Sequence, residues 1–185
     1  MKVRTIVLAG LMAASIAAAG AQEKMMVMVG GESMFPTKNI IANAMNSKDH
    51  TTLVAAVKAA GLVDTLQGAG PFTVFAPTNA AFAKLPAGTV EMLLKPESRS
   101  TLAKVLTYHV VTGKLDAEAL MKKVRDGHGT AELMTVSGGK LWVLANGPRN
   151  LVLKDEKGMT SEISTYDVVQ SNGIIHVITS VLMPK

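Results

Sequence analysis

The side chains best suited to acid–base or metal chemistry in this sequence are its four histidines, His50, His109, His128 and His176, which lie far apart along the chain. Imidazole ordinarily titrates near neutral pH, so it suits proton transfer wherever a second polar group comes within hydrogen-bonding reach. No motif in the sequence places that second group beside one of them, and a hydrolase or metal enzyme would need a cleft where His109 or His176 meets a carboxylate. No His pair has the helical spacing of a zinc site, no Gly-x-Ser-x-Gly marks a nucleophile elbow, and neither Gly-x-x-x-x-Gly-Lys nor Gly-x-Gly-x-x-Gly cradles a phosphate. Cysteine is absent, which excludes thiol catalysis and disulfides. No enzyme activity and no cofactor are expected.

Each histidine has a functional and a structural reading. Tyr108 and His109 precede Val110-Val111 and could form a partner-binding pair. A His among Leu106, Val110 and Val111 is better read as a buried imidazole with both nitrogens bonded, because an unpartnered buried polar group costs about 1–3 kcal/mol. His176, within Ile174-Ile175-His176-Val177-Ile178, reads as a sheet-face His satisfied by backbone, with metal ligation the lesser reading. His128, between Gly127 and Gly129, reads as solvated loop, and Asp155-Glu156 as a turn without calcium-loop spacing. Met25, Met26, Met28 and Met34 offer soft thioethers that suit Cu(I), but without His or Cys beside them they read as gap-filling side chains of an edge-pairing or mobile arm.

Composition narrows the class further. Residues 1–21 read as a secretory signal, with Lys2 and Arg4, an apolar run and Ala19-Gly20-Ala21 as cleavage site. Removal leaves 164 residues, enough for one domain with its own core. The formal charge of +5 falls to +3 without Lys2 and Arg4, and basic residues are interspersed with acidic ones. With one Trp and two Tyr available for stacking, a nucleic-acid partner is not expected. Nor is a membrane span in the mature chain, which is expected to be a secreted or periplasmic monomer.

The elements that must position these residues begin early with helices over residues 39–46 and from about 49–51 to Ala60, where Gly61 suits the left-handed cap. Phe72 to Ala76 reads as a strand apolar on both faces. Pro77 stops it, Thr78 caps the turn over 79–84, and Phe82 swings back toward the strand. Further helices are expected over 90–94, 97–107 and 116–124, with a strand over 108–111 between the last two. Strands over 133–136 and 141–145 form a hairpin about Ser137-Gly138-Gly139-Lys140, and others follow over 151–154, 163–169 and 174–183. Helices first and strands afterwards predict an α+β fold.

Three of these stretches carry a family resemblance. Gly70-Pro71-Phe72-Thr73-Val74-Phe75-Ala76-Pro77-Thr78-Asn79-Ala80-Ala81-Phe82 resembles the first signature of fasciclin-like domains, Leu106-Thr107-Tyr108-His109-Val110-Val111 their central Tyr-His element, and Ser171-Asn172-Gly173-Ile174-Ile175-His176-Val177-Ile178 their second signature. Asn79 stands where many members have Asp, which keeps the capping geometry and drops a charge. The resemblance implies a wedge-shaped β-sandwich with short helices along one edge. Phe72, Phe75, Pro77, Thr78, Phe82, Asn172, Gly173 and His176 are then motif residues of structural weight. The chain is accordingly divided into a signal peptide (1–21), an N-terminal extension (22–37) and a fasciclin-like domain (38–185).

The resemblance also implies a bacterial, non-enzymatic module for cell adhesion or for binding a cell surface or extracellular matrix, through a protein or surface partner. Tyr108 and His109 correspond to an element linked to integrin recognition in animal members. Exposed loops over 125–130 and 145–150 are further candidate contacts. The alternative is a carrier of an apolar, carotenoid-like small molecule held near Phe75, Met92 and Leu106.

Overall fold

The strand β3 (Phe72–Pro77) runs through the middle of the molecule, and its alternating side chains dictate the layers on either side. A computed structural model describes residues 26–185; the expected leader over 1–21, and Met25, lie outside the described residues. Val74 and Ala76 enter a helical layer, while Phe75 points the opposite way into a β-sandwich interior. Both faces are covered, as the doubly apolar pattern requires.

Around β3 a seven-stranded sheet is assembled in the order β4-β3-β9-β8-β7-β6-β5, comprising β4 (Val110–Thr112), β5 (Thr130–Met134), β6 (Lys140–Ala145), β7 (Leu151–Lys154), β8 (Thr160–Gln170) and β9 (Gly173–Ile178). β3 lies parallel to β9, with Phe72 opposite Gly173 and Phe75 opposite His176. The long strand β8 joins the two halves: Thr160 to Glu162 pair with β7, and Ile163 to Gln170 pair with β9. Its register slips between Ile163 and Val168, and Asp167 sits at φ +56. Such a bulge bends a strand, and Asp is among the few residues that tolerate the left-handed region. The halves fold over each other, so that Phe75 and Ile178 share one core with Leu141, Val143 and Leu153.

The second core lies on the other side of β3 and β9. There α1 (Ile40–Ala44), α2 (Thr51–Ala60), α3 (Val63–Gln67), α4 (Asn79–Ala83), α5 (Thr89–Leu93) and α6 (Arg99–Tyr108) pack over Val74, Ala76, Ile175 and Val177. α7 (Ala117–Asp126) instead sends Leu120 and Val124 into the sandwich core. Helix starts are fixed by side-chain caps: Asn39 Oδ1 accepts from Ala42, Thr78 Oγ1 from Ala81 and Asp116 Oδ1 from Ala119. Gly61 ends α2 at φ +72, as its position after Ala60 suggests. The architecture is α+β, with short helices gathered on one side of a curled sheet.

Two local expectations change, and two elements appear that the sequence did not mark. Tyr108 and His109 do not begin a strand: Tyr108 is the last residue of α6 and His109 its C-cap, since the His109 ring bonds back to Val105 and extends the helix end. The last strand stops at Ile178 because the amides of Leu182 and Met183 are taken by side chains rather than by a ladder. α3 has no side-chain cap to announce it and lies in a stretch to which the sequence assigned no element. β1 (Val27–Val29) and β2 (Glu32–Met34) pair as a hairpin whose Val29 and Met34 enter the helical core.

Candidate functional site

At the end of α6, the His109 ring is 3% exposed and has both nitrogens engaged. Nδ1 faces the Val105 carbonyl at 2.8 Å and Nε2 faces the Leu182 amide at 3.0 Å, so the proton resides on Nδ1, which donates, and Nε2 accepts. Burial pulls its pKa down from 6.5 to about 4, against the opposing pull of the Val105 carbonyl and the Asp155 charge. Tyr108 is fully buried; its hydroxyl donates to the Lys140 carbonyl at 2.5 Å and accepts from the Glu156 amide at 3.1 Å. Burial pushes this hydroxyl up to about 12. The expected binding pair therefore offers no surface to a partner in this conformation.

What the pair does hold is the far end of the chain. Asp155, itself buried, accepts from the Met183 amide through Oδ2 and from the Lys157 and Met159 amides through Oδ1. Glu156 accepts from Lys140 and Lys185. The Asp155-Glu156 turn, expected to be merely solvated, thus clasps residues 182–185 against His109. A calcium role is not needed to account for these oxygens.

The other motif residues stitch β3 to its neighbours. His176 stacks on Phe75 at 5.7 Å, donates from Nε2 to the Leu115 carbonyl at 2.8 Å and accepts at Nδ1 from the Asp167 amide at 3.3 Å. Burial lowers its pKa too. Asp167 in turn accepts from the Ala117 amide, so the β8 bulge and the α7 start share one support. Pro77 closes β3 opposite Ile178, and Phe82 and half-buried Phe72 pack on the helical core. Asn172 donates to the Leu66 and Gly68 carbonyls and accepts from the Ile40 amide. A Cβ on Gly173 would stand 2.0 Å from the Phe72 carbonyl oxygen, so only glycine fits.

His50 is buried with Nδ1 on Ser47 Oγ at 2.8 Å, and its Nε2 has no hydrogen-bond partner among the described residues. His128, at φ +55, is exposed in its loop. The histidines do not converge: among the described residues no three His, Cys, Asp or Glu side chains gather where they could hold a metal ion.

The exposed loops behave differently. Residues 125–130 and 145–150 meet at one tip of the sandwich, where the Ala145 amide reaches the Gly129 carbonyl at 3.4 Å. From this tip the outward face of β5, β6 and β7 presents Glu132, Met134, Lys140, Trp142, Leu144 and Lys154. Trp142 lies opposite Glu132 on one side and Lys154 on the other, half-buried, in an open groove of ≈ 470 Å³ shared with Thr130, Leu144 and the turn to Gly158. Sequence reasoning passed over Trp142 as a site. Its signal was the alternation of 140–145, which sends Leu141 and Val143 inward and so must turn the chain's single Trp outward.

An enclosed apolar space also exists between the helical layer and β3, lined by Leu53, Val57, Val74, Leu106 and the His109 ring among others. Its volume is ≈ 40 Å³, little more than one water's share of liquid. Met92 lies away from it, 63% exposed on α5.

Comparison with known proteins agrees with this geometry. The family model described as "Fasciclin domain" matches residues 48–184. Protein sll1483 of Synechocystis sp. is 46% identical over 147 residues, covering 78% of this chain and 73% of that protein. Immunogenic protein MPB70 of Mycobacterium bovis is 37% identical over 146 residues, covering 76% and 66% respectively. Among solved structures, a FAS1 domain pair from the insect cell adhesion molecule fasciclin I superposes with a TM-score of 0.69 at 19% identity, over 79% of this chain and 51% of that one.

Proposed function

Because this chain belongs to the fasciclin domain family, we propose that it is an exported, non-enzymatic interaction module acting in cell adhesion or in contact with a cell surface or extracellular matrix. The observation that supports this most is the outward face of β5 to β7, where Trp142 and Met134 stand on the solvent side of a sheet whose other side already fills the core. Aromatic side chains left in such a position are typical anchors of an interface. Tyr108 and His109 contribute by position: the Tyr108 hydroxyl holds the Glu156 amide at the rim of that groove, and His109 holds the Leu182 amide beside it. Among the described residues no helix is long and apolar enough to cross a membrane.

The test is retention of labelled protein on intact cells and on matrix-coated surfaces. Wild type is expected to bind saturably, and Trp142→Ala to lose most of that binding while Lys58→Glu, on the helical side, keeps it. Equal retention of both variants would contradict the assignment of the face.

The carrier reading has less support. A carotenoid-like ligand needs a site of roughly 300–1,000 Å³, and the apolar space under α2 and α6 holds ≈ 40 Å³. Native mass spectrometry of protein from its own host should show the bare chain; a discrete excess mass lost on denaturation would restore the carrier.

A further inference from the structure

We propose that the groove beside Trp142 binds an anionic saccharide chain; this rests on the interaction-module reading and names the chemistry of its partner. Trp142 supplies a flat apolar plate with an indole N–H at its edge, and no cation sits over its ring among the described residues. A pyranose ring has a C–H-rich face that packs on such a plate while its hydroxyls stay in water. The surroundings suit this: the groove is open, and its walls are the polar turn from Asp155 to Gly158 and strand residues Thr130, Leu144 and Lys154. A volume of ≈ 470 Å³ lies within the usual range of ligand sites and admits two or three sugar rings.

Charge decides the kind of saccharide. Lys154 and Lys157 are exposed and form no ion pair among the described residues. The carboxylates lining the groove keep their charge but have their oxygens turned to other donors: Glu132 pairs with Lys140 at 3.0 Å, Asp155 is buried on three amides, and Glu156 accepts the Lys140 and Lys185 amides. The two ammonium groups are thus the charged donors left to meet a ligand, and they call for carboxylate or sulfate. One aromatic and two cations are too few for a nucleic-acid strand, which needs a succession of stacking platforms.

Trp142 is the only tryptophan, so tryptophan fluorescence, excited where tyrosine does not absorb, reports on this groove alone. The full chain, after export, is titrated with an oligogalacturonate hexamer, a heparin-derived hexasaccharide and, as neutral control, maltohexaose. At least one acidic hexamer should shift the emission saturably, with affinity falling as salt rises. The Lys154→Gln/Lys157→Gln double variant should bind it at least ~10-fold more weakly with an unchanged starting spectrum, through the lost charge-assisted contacts. Trp142→Leu, followed by calorimetry, should also lose binding. The two lysines are exposed, so the double variant keeps the test decisive if Trp142→Leu does not fold. Maltohexaose binding as tightly as the acidic hexamers, wild-type affinity in the double variant, or no response to either acidic hexamer would each overturn the proposal. Retention on cells after periodate has destroyed surface sugars would remove the saccharide and leave the module standing. Saturable hexamer binding without retention on any surface would do the reverse.

Discussion

The ring of His109 accepts the Leu182 amide at 3.0 Å across 73 residues of sequence, while the same ring donates to Val105 one helical turn before it. A single neutral imidazole thereby ties α6 to the closing segment of the domain. His109→Ala should lower unfolding free energy by about 2–4 kcal/mol, from a small cavity and two buried polar groups left without partners. Hydrogen exchange should quicken at Leu182 and Met183 first. A chemical-denaturation midpoint equal to wild type would refute the role.

Acid should weaken the fold in a defined window. Burial holds His109 at about 4 against an ordinary 6.5, and lowers His50 and His176 as well. Between those values the unfolded chain binds protons that the folded chain refuses, so this contribution is complete above pH ~6.5 and is lost as pH falls toward 4, with His109 accounting for up to about 3 kcal/mol. Urea midpoints measured from pH 7.5 to 4.5 should fall, and fall less steeply in His109→Ala. Parallel slopes for the two proteins would show that His109 does not carry the effect.

Phe75 is fully buried in the sandwich core and stacked on His176. Phe75→Ala should cost about 3–5 kcal/mol, and the loss of its ring should also loosen the Leu115 contact that His176 maintains. Thermal unfolding checks the first, exchange at Asp167, whose amide His176 accepts, the second.

Asn172 satisfies two carbonyls and one amide from three separate segments. Asn172→Ala should destabilise by about 2–4 kcal/mol by leaving them buried without partners. Asn172→Asp should be no better, because its carboxylate would face the Leu66 and Gly68 carbonyls. Wild-type stability in the Asp variant would contradict the assigned orientation of the amide.

The two faces of β6 should separate cleanly. Leu141→Ala removes a fully buried side chain and should cost about 2–5 kcal/mol, whereas Trp142→Ala should shift the melting temperature far less and act on binding instead. Equal losses of stability would mean that Trp142 belongs to the core.

Much of this organisation was legible before any coordinates. The Pro77 stop, the Thr78 cap, the Gly61 end of α2 and the doubly apolar β3 each follow from a local rule that tertiary structure left intact. The readings that changed depend on partners remote in sequence. Tyr108 and His109 look like strand residues beside Val110, and only the distant Lys140, Glu156 and Leu182 reveal why they end a helix instead. Residues 179–183 read as strand for the same reason: apolar alternation is silent about whether an amide will meet a ladder or a carboxylate. Trp142 was visible as an outward residue of a hairpin, but the groove beside it is made by a turn twelve and more residues onward.

The parallel pairing of β3 with β9 imposes an order of events. Residues 72–77 meet β4 on one edge, but on the other they find their neighbours among residues 173–178, roughly a hundred positions later, so that edge of the central strand stays uncovered until those residues have been made. The contact of the Leu182 amide with the His109 ring involves residues later still, so the domain closes on its last segment to be made.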